Sequence, residues 1–151
     1  MVAERSEAGV RENGDSCDSR PTRLLDGHAL GEKKAVSLKL HIKQVSVDKE
    51  LPLELKADLI VDAIFGTGFK GKVTGLEEKA VQLINSSRTK VLSIDTPSGL
   101  DVDTGSVAGE CVKADVTPTM GLPKVGQFFF PGKSYCGKVE VIDIGVLLVY
   151  S

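Results

Sequence analysis

The sequence predicts an α/β protein: a three-layer, Rossmann-like parallel sheet with helices. The nearly continuous apolar run Lys56–Phe65 is typical of a strand buried on both faces. Thr74 and Glu77 then stand at capping-box spacing before a helical apolar stripe. A second short apolar run, Lys90–Asp95, ends before a proline. Strand, helix and strand with short connections form a βαβ unit, which places the two strands parallel in one sheet.

The remaining elements follow from periodicity. Apolar residues recur at i, i+4, i+7 and i+8 after the cap, at Leu76, Ala80, Leu83 and Ile84. Further strands are predicted at 114–120 and 138–144, and the alternating segment 37–47 predicts a half-buried strand near a sheet edge.

Composition excludes several classes of protein. Lys and Arg number 19 and Asp and Glu number 21, a net charge of −2, so we expect no nucleic-acid partner. No apolar run is long enough to span a bilayer, so no membrane partner is expected. An odd set of three distant cysteines and an acidic N-terminus without a signal-peptide pattern indicate a cytoplasmic protein.

Two regions differ in character. Residues 1–36 are rich in charge, Ser and Gly and poor in large apolar side chains, which predicts a disordered or non-homologous tail. The composition changes near Val36, so residues 37–151 are predicted to form the α/β domain.

A glycine-rich loop is the first candidate site. Gly66–Gly71 has the pattern G-x-G-x-x-G directly after a buried strand. Glycines let backbone amides approach an anion closely. A tight strand-to-helix turn explains the pattern equally well, because the helix cap comes only at Thr74. The pattern alone leaves both interpretations open.

Two carboxylates form the second candidate. Asp95 ends the second buried strand, and ligands of open α/β sheets bind outside the carboxyl ends of strands. Asp62 lies inside an apolar strand, where a charge is costly unless it is hydrogen-bonded or ligated. The alternatives are that Asp62 is a satisfied structural carboxylate and that Asp95 caps the amides of Ser98 and Gly99. Lys124, in a turn, could contact a phosphate, although a solvated loop lysine is commoner.

Together these residues resemble a known family. The motifs, in order, are residues 62–71, 93–105, 112–117, 121–126 and 137–145. In this order and spacing, residues 57–146 resemble the C-terminal part of the NAD(P)H-hydrate epimerase family, the YjeF N-terminal domain. The resemblance implies a metabolite-repair isomerase that interconverts the R and S forms of NADHX and NADPHX, cofactors hydrated at C6 of the nicotinamide ring. It also implies an NAD(P)H-hydrate dehydratase as a partner, since that enzyme acts on the S form.

The resemblance implies roles for individual residues. Asp95 would contact the hydrated ring and is the implied catalytic residue. Asp62 and Ser98 would supply oxygens to one potassium ion per subunit. The implied substrate-binding residues, besides Asp95, are Gly66, Thr67, Gly68, Phe69, Lys70, Gly71 and Lys72.

One family motif is not found. The loop Gly-x-Gly-Asn-Asn-Gly-Gly-Asp-Gly, which supplies an asparagine to potassium and amides to phosphate, has no counterpart before Leu38. We therefore expect a partial domain that is truncated at its N-terminus. Its site would lack some of the groups that bind potassium and phosphate, so the sequence does not decide whether the chain is catalytically active. The alternatives are a fragment of a Rossmann-type NAD-dependent oxidoreductase, or a non-catalytic nucleotide-binding or interaction module. Loss of the first βα unit would expose a sheet edge and favour a homodimer.

Overall fold

The computed structural model describes residues 2–4, 23–24 and 42–145. The strands form one sheet in the order β3-β2-β1-β4-β5-β6-β7. Their bounds are β1 Val2–Glu4, β2 Arg23–Leu24, β3 Ile42–Lys43, β4 Leu59–Asp62, β5 Lys90–Ser93, β6 Val116–Met120 and β7 Lys138–Ile142. The strands β4 to β7 are parallel neighbours. This confirms the predicted α/β, Rossmann-like class.

Register places the polar and apolar residues of this parallel core. Ile60 pairs with Val91, and Asp62 pairs with Ser93. Residues at one register position share a face of the sheet, so these four buried side chains lie on one side. The carboxyl ends of β4, β5 and β6 meet at one edge because the strands run the same way. That edge carries the candidate site.

The predicted helix is confirmed as α1, Gly75–Ser86. Thr74 is its N-cap in an extended conformation, which confirms the predicted start of the helix. The Thr74 side chain makes no capping hydrogen bond, so the predicted capping box is wrong. The helix buries Val81 and Ile84 against Ile60 of the sheet. This apolar cluster holds β4 and α1 together, and so fixes where the loop between them begins and ends.

A second apolar cluster is formed by the segment from residue 100 to residue 136. It comprises Leu100, Val102, Cys111 and Cys136, the last at the end of a short helix, α2, Lys133–Cys136. Burial raises the pKa of Cys136 to about 11 and the pKa of Cys111 further still. Both thiols therefore stay protonated near neutral pH and act as apolar packing groups rather than nucleophiles.

The N-terminal prediction falls mostly outside the described residues. Of the segment 1–36, the structure describes only β1 and β2, and of the predicted strand 37–47 it shows a strand only at β3. The β1 strand runs antiparallel to β4, with Val2 opposite Asp62. Among the described residues, β1 therefore pairs with the side of β4 that faces away from β5. Within the described ranges, no helix has the length and apolarity needed to cross a membrane.

Candidate active site

Two loops meet at the carboxyl edge of the sheet. One follows β4 and contains Gly66–Lys72, and the other follows β5 and begins at Asp95. The Phe65 amide donates to Ser98 Oγ at 2.9 Å, which joins the two loops directly. The two loops that the sequence placed after neighbouring strands thus lie at the same end of the sheet.

Asp62 is the buried carboxyl beneath these loops. Its side chain has 0% exposure. Oδ1 accepts from the Ser98 hydroxyl at 2.6 Å and the Ile64 amide at 3.3 Å. Oδ2 accepts from the Ser93 hydroxyl at 2.7 Å and the Ser98 amide at 2.9 Å. Every one of these donors is neutral, so the Asp62 carboxyl is satisfied by dipoles and by no cation among the described residues.

The backbone of Asp95 is held in an uncommon conformation. Its φ is +67°, in the left-handed region that few non-glycine residues adopt. Its amide donates to Pro118 O at 2.9 Å. Its carbonyl accepts from Gln127 Nε2 at 2.8 Å. Hydrogen bonds on both sides of the peptide fix this residue in place, which is how strained residues persist at functional sites.

The two oxygens of the Asp95 carboxylate differ. Oδ1 accepts from the Met120 amide at 2.8 Å, from the Thr119 hydroxyl at 3.3 Å and from the Lys124 ammonium. No described residue donates to Oδ2, and the side chain is 25% exposed. Burial raises the pKa of Asp95, but the Lys124 ammonium and the Met120 amide outweigh it and hold the pKa below its ordinary value. Asp95 is thus an ionised carboxylate with one open oxygen.

The alternative role weighed for Asp95, capping the amide of Ser98, is wrong. The Ser98 amide donates to Asp62 instead. The alternative for Asp62, a satisfied carboxylate, agrees with its four donors. That arrangement does not exclude a further cation, because the oxygens of Asp62 and Ser98 are hard donors of the type that alkali and alkaline-earth ions accept. Of the described residues, no three His, Cys, Asp or Glu side chains cluster around a metal position.

The glycine-rich loop is open. A Cβ built on Gly66, Gly68 or Gly71 would meet no atom within 4 Å. The Phe69 amide donates to Gly66 O at 3.1 Å, a single tight turn. The Phe69 ring anchors the loop by packing on the Phe65 ring, with 4.8 Å between centroids. The amides of the three glycines make no hydrogen bond to any described residue and are free to meet an anion.

The lysines of this loop are paired with acids. Lys70 Nζ lies 2.6 Å from Asp101 Oδ1 and 2.7 Å from Asp103 Oδ2. These hydrogen bonds raise the pKa of Lys70. Lys72 Nζ lies 3.8 Å from Glu78 Oε1. The exposed Thr67 makes no side-chain hydrogen bond to a described residue. Amides, rather than free lysines, are therefore the anion donors that this loop offers.

Sequence reasoning missed two residues of the site. Lys124 was weighed as a solvated lysine, yet its side chain is only 20% exposed and is paired with Asp95. Gln127, 1% exposed, was not considered at all. Both follow β6, the next parallel strand after β5. The rule that placed Asp95 at a strand end, applied to this third strand, would have marked both as candidates, although not the direction of their side chains.

Known proteins are similar to most of this chain. The family described as YjeF-related protein N-terminus matches residues 23–126. The bifunctional NAD(P)H-hydrate repair enzyme Nnr of Moorella thermoacetica is 49% identical over 92 residues, 61% of this chain and 17% of that protein. The NAD(P)H-hydrate epimerase of Levilactobacillus brevis is 43% identical over 102 residues, 68% of this chain and 47% of that protein.

A third relative extends the match. The NAD(P)H-hydrate epimerase of Limosilactobacillus fermentum is 37% identical over 116 residues, 77% of this chain and 56% of that protein. The chain thus spans about half the length of these epimerases and a smaller part of the bifunctional enzyme. Because the family match covers more than half of the sequence, and because the open glycine loop and Asp95 both fall inside it, the chain belongs to the YjeF-related protein N-terminus family.

Proposed function

We propose that this protein is a metabolite-repair isomerase, an NAD(P)H-hydrate epimerase that interconverts the R and S forms of NADHX and NADPHX. One observation carries the proposal: an ionised Asp95 offers a single open oxygen beside a glycine loop with unused amides. Relatives that are named epimerases support the same activity. Family membership favours this activity over that of a Rossmann-type oxidoreductase.

The two loops divide the work. The amides of Gly66, Gly68 and Gly71 would hold the diphosphate of the hydrated cofactor, as open backbone amides do in other anion sites. Asp95 Oδ2 would face the C6 hydroxyl and accept its proton as the C6–N1 bond breaks, so that a carbonyl forms at C6 and the bonding electron pair moves to N1 and the conjugated carboxamide. After rotation about the C5–C6 bond, N1 would attack the other face of this carbonyl, and the oxygen would take the proton back from Asp95. Proton and atom counts are then equal before and after inversion at C6.

Asp62 and Ser98 would hold one potassium ion. Their oxygens are adjacent, at 2.6 Å, and the donors around Asp62 are all neutral, so a monovalent cation would balance its charge. The hydroxyl of Thr96, in the same loop and 1% exposed, has no hydrogen-bond partner among the described residues and is a spare oxygen donor. A bound cation would stabilise negative charge at the crevice.

Partners and compartment follow from this function. A dehydratase that consumes the S epimer would complete the repair, and the bifunctional relatives are named as repair enzymes of NAD(P)H hydrates. We also propose a homodimer in the cytoplasm. Edge strand β7 supports the dimer, since Val141 and Ile142 are 53% and 41% exposed there.

The test is conversion of the purified R hydrate by the full chain and by Asp95→Asn. Asparagine tolerates the left-handed backbone, so the fold is kept while the carboxylate is lost. We expect turnover to fall by about 10²–10⁴-fold. Asp115→Asn is the matched control. Asp115 also pairs with a lysine, since Lys90 Nζ lies 2.6 Å from its Oδ1, but it directly precedes β6 and so lies at the amino ends of the strands, away from the site. Undiminished turnover in Asp95→Asn, or none in the unaltered chain, overturns the proposal.

A further inference from the structure

Lys124 is fully committed within the protein. Its ammonium donates to Asp95 Oδ1, to Thr119 Oγ1 at 2.9 Å and to Met120 O at 3.0 Å. An ammonium has three N–H donors, so none remains for a phosphate or for solvent. A lysine recruited only for charge would extend outward, as Lys138 does with 74% exposure. Lys124 instead turns inward, with 20% exposure, toward one carboxylate oxygen.

Gln127 ties this lysine to the backbone of Asp95. Its Oε1 accepts from the Lys124 amide at 2.9 Å. Its Nε2 donates to Asp95 O at 2.8 Å. A buried side-chain amide with partners at both ends holds them at a fixed separation, and losing either contact would leave a buried polar atom unpaired. The loop after β6 therefore determines where the loop after β5 places its aspartate.

We propose that Lys124 is a positioning residue for Asp95, supported from beneath by Gln127. It fixes Oδ1 and so turns Oδ2 toward the substrate, and its ammonium, in contact with Oδ1, favours the ionised carboxylate from which proton transfer starts. The inference rests on the proposed function. It adds the loop after β6, which carries Lys124 and Gln127, to the two loops that form the site. Lys124 acts through Asp95, because its own protons are all engaged.

The left-handed backbone of Asp95 makes such support necessary. A non-glycine residue at φ +67° costs free energy, and it persists when the surrounding contacts outweigh that cost. Two of the contacts come from residues of the β6 loop, Lys124 to the side chain and Gln127 to the carbonyl. Without them, only the Met120 amide and the Thr119 hydroxyl would hold Oδ1, and the carboxylate would rotate more readily. A displacement of about 1 Å at a reacting group can cost about 10²-fold in rate.

The experiment compares Lys124→Met and Lys124→Arg with the unaltered chain in kcat and KM across pH. Among the described residues, Lys124 is the one charged side chain in contact with Asp95. For Lys124→Met we expect kcat to fall about 10²-fold with KM little changed. The acid limb of its profile moves to higher pH, because the Lys124 ammonium no longer offsets the burial that raises the pKa of Asp95. Lys124→Arg restores the position of the limb but not the rate, since the charge returns without the geometry.

Lys113→Met is the matched control, because this exposed lysine forms no ion pair with a described residue. Its rate and its profile should equal those of the unaltered chain. A purely structural role for Lys124 would lower the yield of folded protein without moving the acid limb. The inference is overturned if the unaltered chain turns over the R hydrate and Lys124→Met has the same kcat and the same acid limb in its pH profile. The proposed function would be unaffected by that result.

Carbon-13 NMR titration of the Asp95 carboxyl tests the inference independently of turnover. Asp95→Asn identifies the signal. If the unaltered chain does not turn over, the proposed function fails, and the titration still decides whether Lys124 controls Asp95. A higher pKa for Asp95 in Lys124→Met supports the inference, and an unchanged pKa overturns it. If Lys124→Met does not fold, Lys124→Gln, which keeps a donor for Met120 O, is measured instead.

Discussion

The loops after β4 and β5 lie side by side but are built in opposite ways. The loop after β4, Gly66–Lys72, is largely exposed, and a Cβ added to any of its glycines would meet no neighbouring atom within 4 Å. The loop after β5 is packed: Ser98 has 0% exposure, and Asp95 is held through its amide, its carbonyl and its carboxylate. A Cβ on Gly66 would meet open space, whereas one on Gly99 would lie 2.4 Å from Glu110 O.

This contrast separates two requirements of a ligand site. A group that moves a proton must be held in advance, since each misplacement costs rate. A group that holds a diphosphate can adapt, because several amides share the charge. The packed loop suits the first requirement and the open loop suits the second. Three experiments test whether the division is real, beginning with the largest expected effect.

Asp62→Ala should be the most damaging change, because it removes the acceptor on which the packed loop rests. Four donors would lose their partner, among them the amide and hydroxyl of Ser98. Each buried unsatisfied donor costs about 1–3 kcal/mol, so we expect the free energy of unfolding to fall by about 3 kcal/mol or more. Urea unfolding measures it. Asp103→Ala, at a side chain 75% exposed, should change stability by at most about 0.5 kcal/mol. Equal stability of the two variants would break the contrast.

A pair of glycine substitutions sharpens the contrast. Gly99 has φ +103° and backbone atoms where a Cβ would stand, so Gly99→Ala should lower the free energy of unfolding by about 2 kcal/mol. Gly68 in the open loop has no neighbour within 4 Å, so Gly68→Ala should stay within about 0.5 kcal/mol of the unaltered chain. Thermal and urea unfolding of both variants supply the comparison. Similar losses in the two would mean that the open loop is packed in solution.

Lys70→Met gives the smallest effect, on pH dependence. The Lys70 hydrogen bond lowers the pKa of Asp101 below its ordinary 3.8, so this pair stabilises the folded state above that pH and loses its contribution as the pH falls through the lowered value. The variant should therefore lose stability near neutral pH and converge with the unaltered chain in strong acid. Unfolding midpoints from pH 7 to pH 2 follow this. A constant difference down to the lowest pH would show that Lys70 acts by packing alone.

Local pattern predicted the parallel core well. The apolar run that ends at Phe65 and the helical spacing of apolar residues after Thr74 reflect the burial that each element needs by itself. Patterns of this kind predicted β4, α1, β5, β6 and β7. The polar contacts were harder to predict. Lys124 lies 29 residues after Asp95, and nothing in a turn sequence shows that its side chain points inward. The missing hydrogen bond at Thr74 is likewise a matter of rotamer, which residue type alone does not fix.

The left-handed backbone at Asp95 restricts which amino acids this position can hold. Short polar side chains and glycine enter that region of φ most readily, while β-branched or bulky ones are excluded. Glutamate would carry the same charge, but its side chain is one methylene longer. Its carboxylate would therefore extend past the Met120 amide and the Lys124 ammonium that hold Asp95. A redesign of this site for another ligand can therefore use only a few amino acids at position 95. Changes in ligand specificity would have to be made in the glycine loop instead.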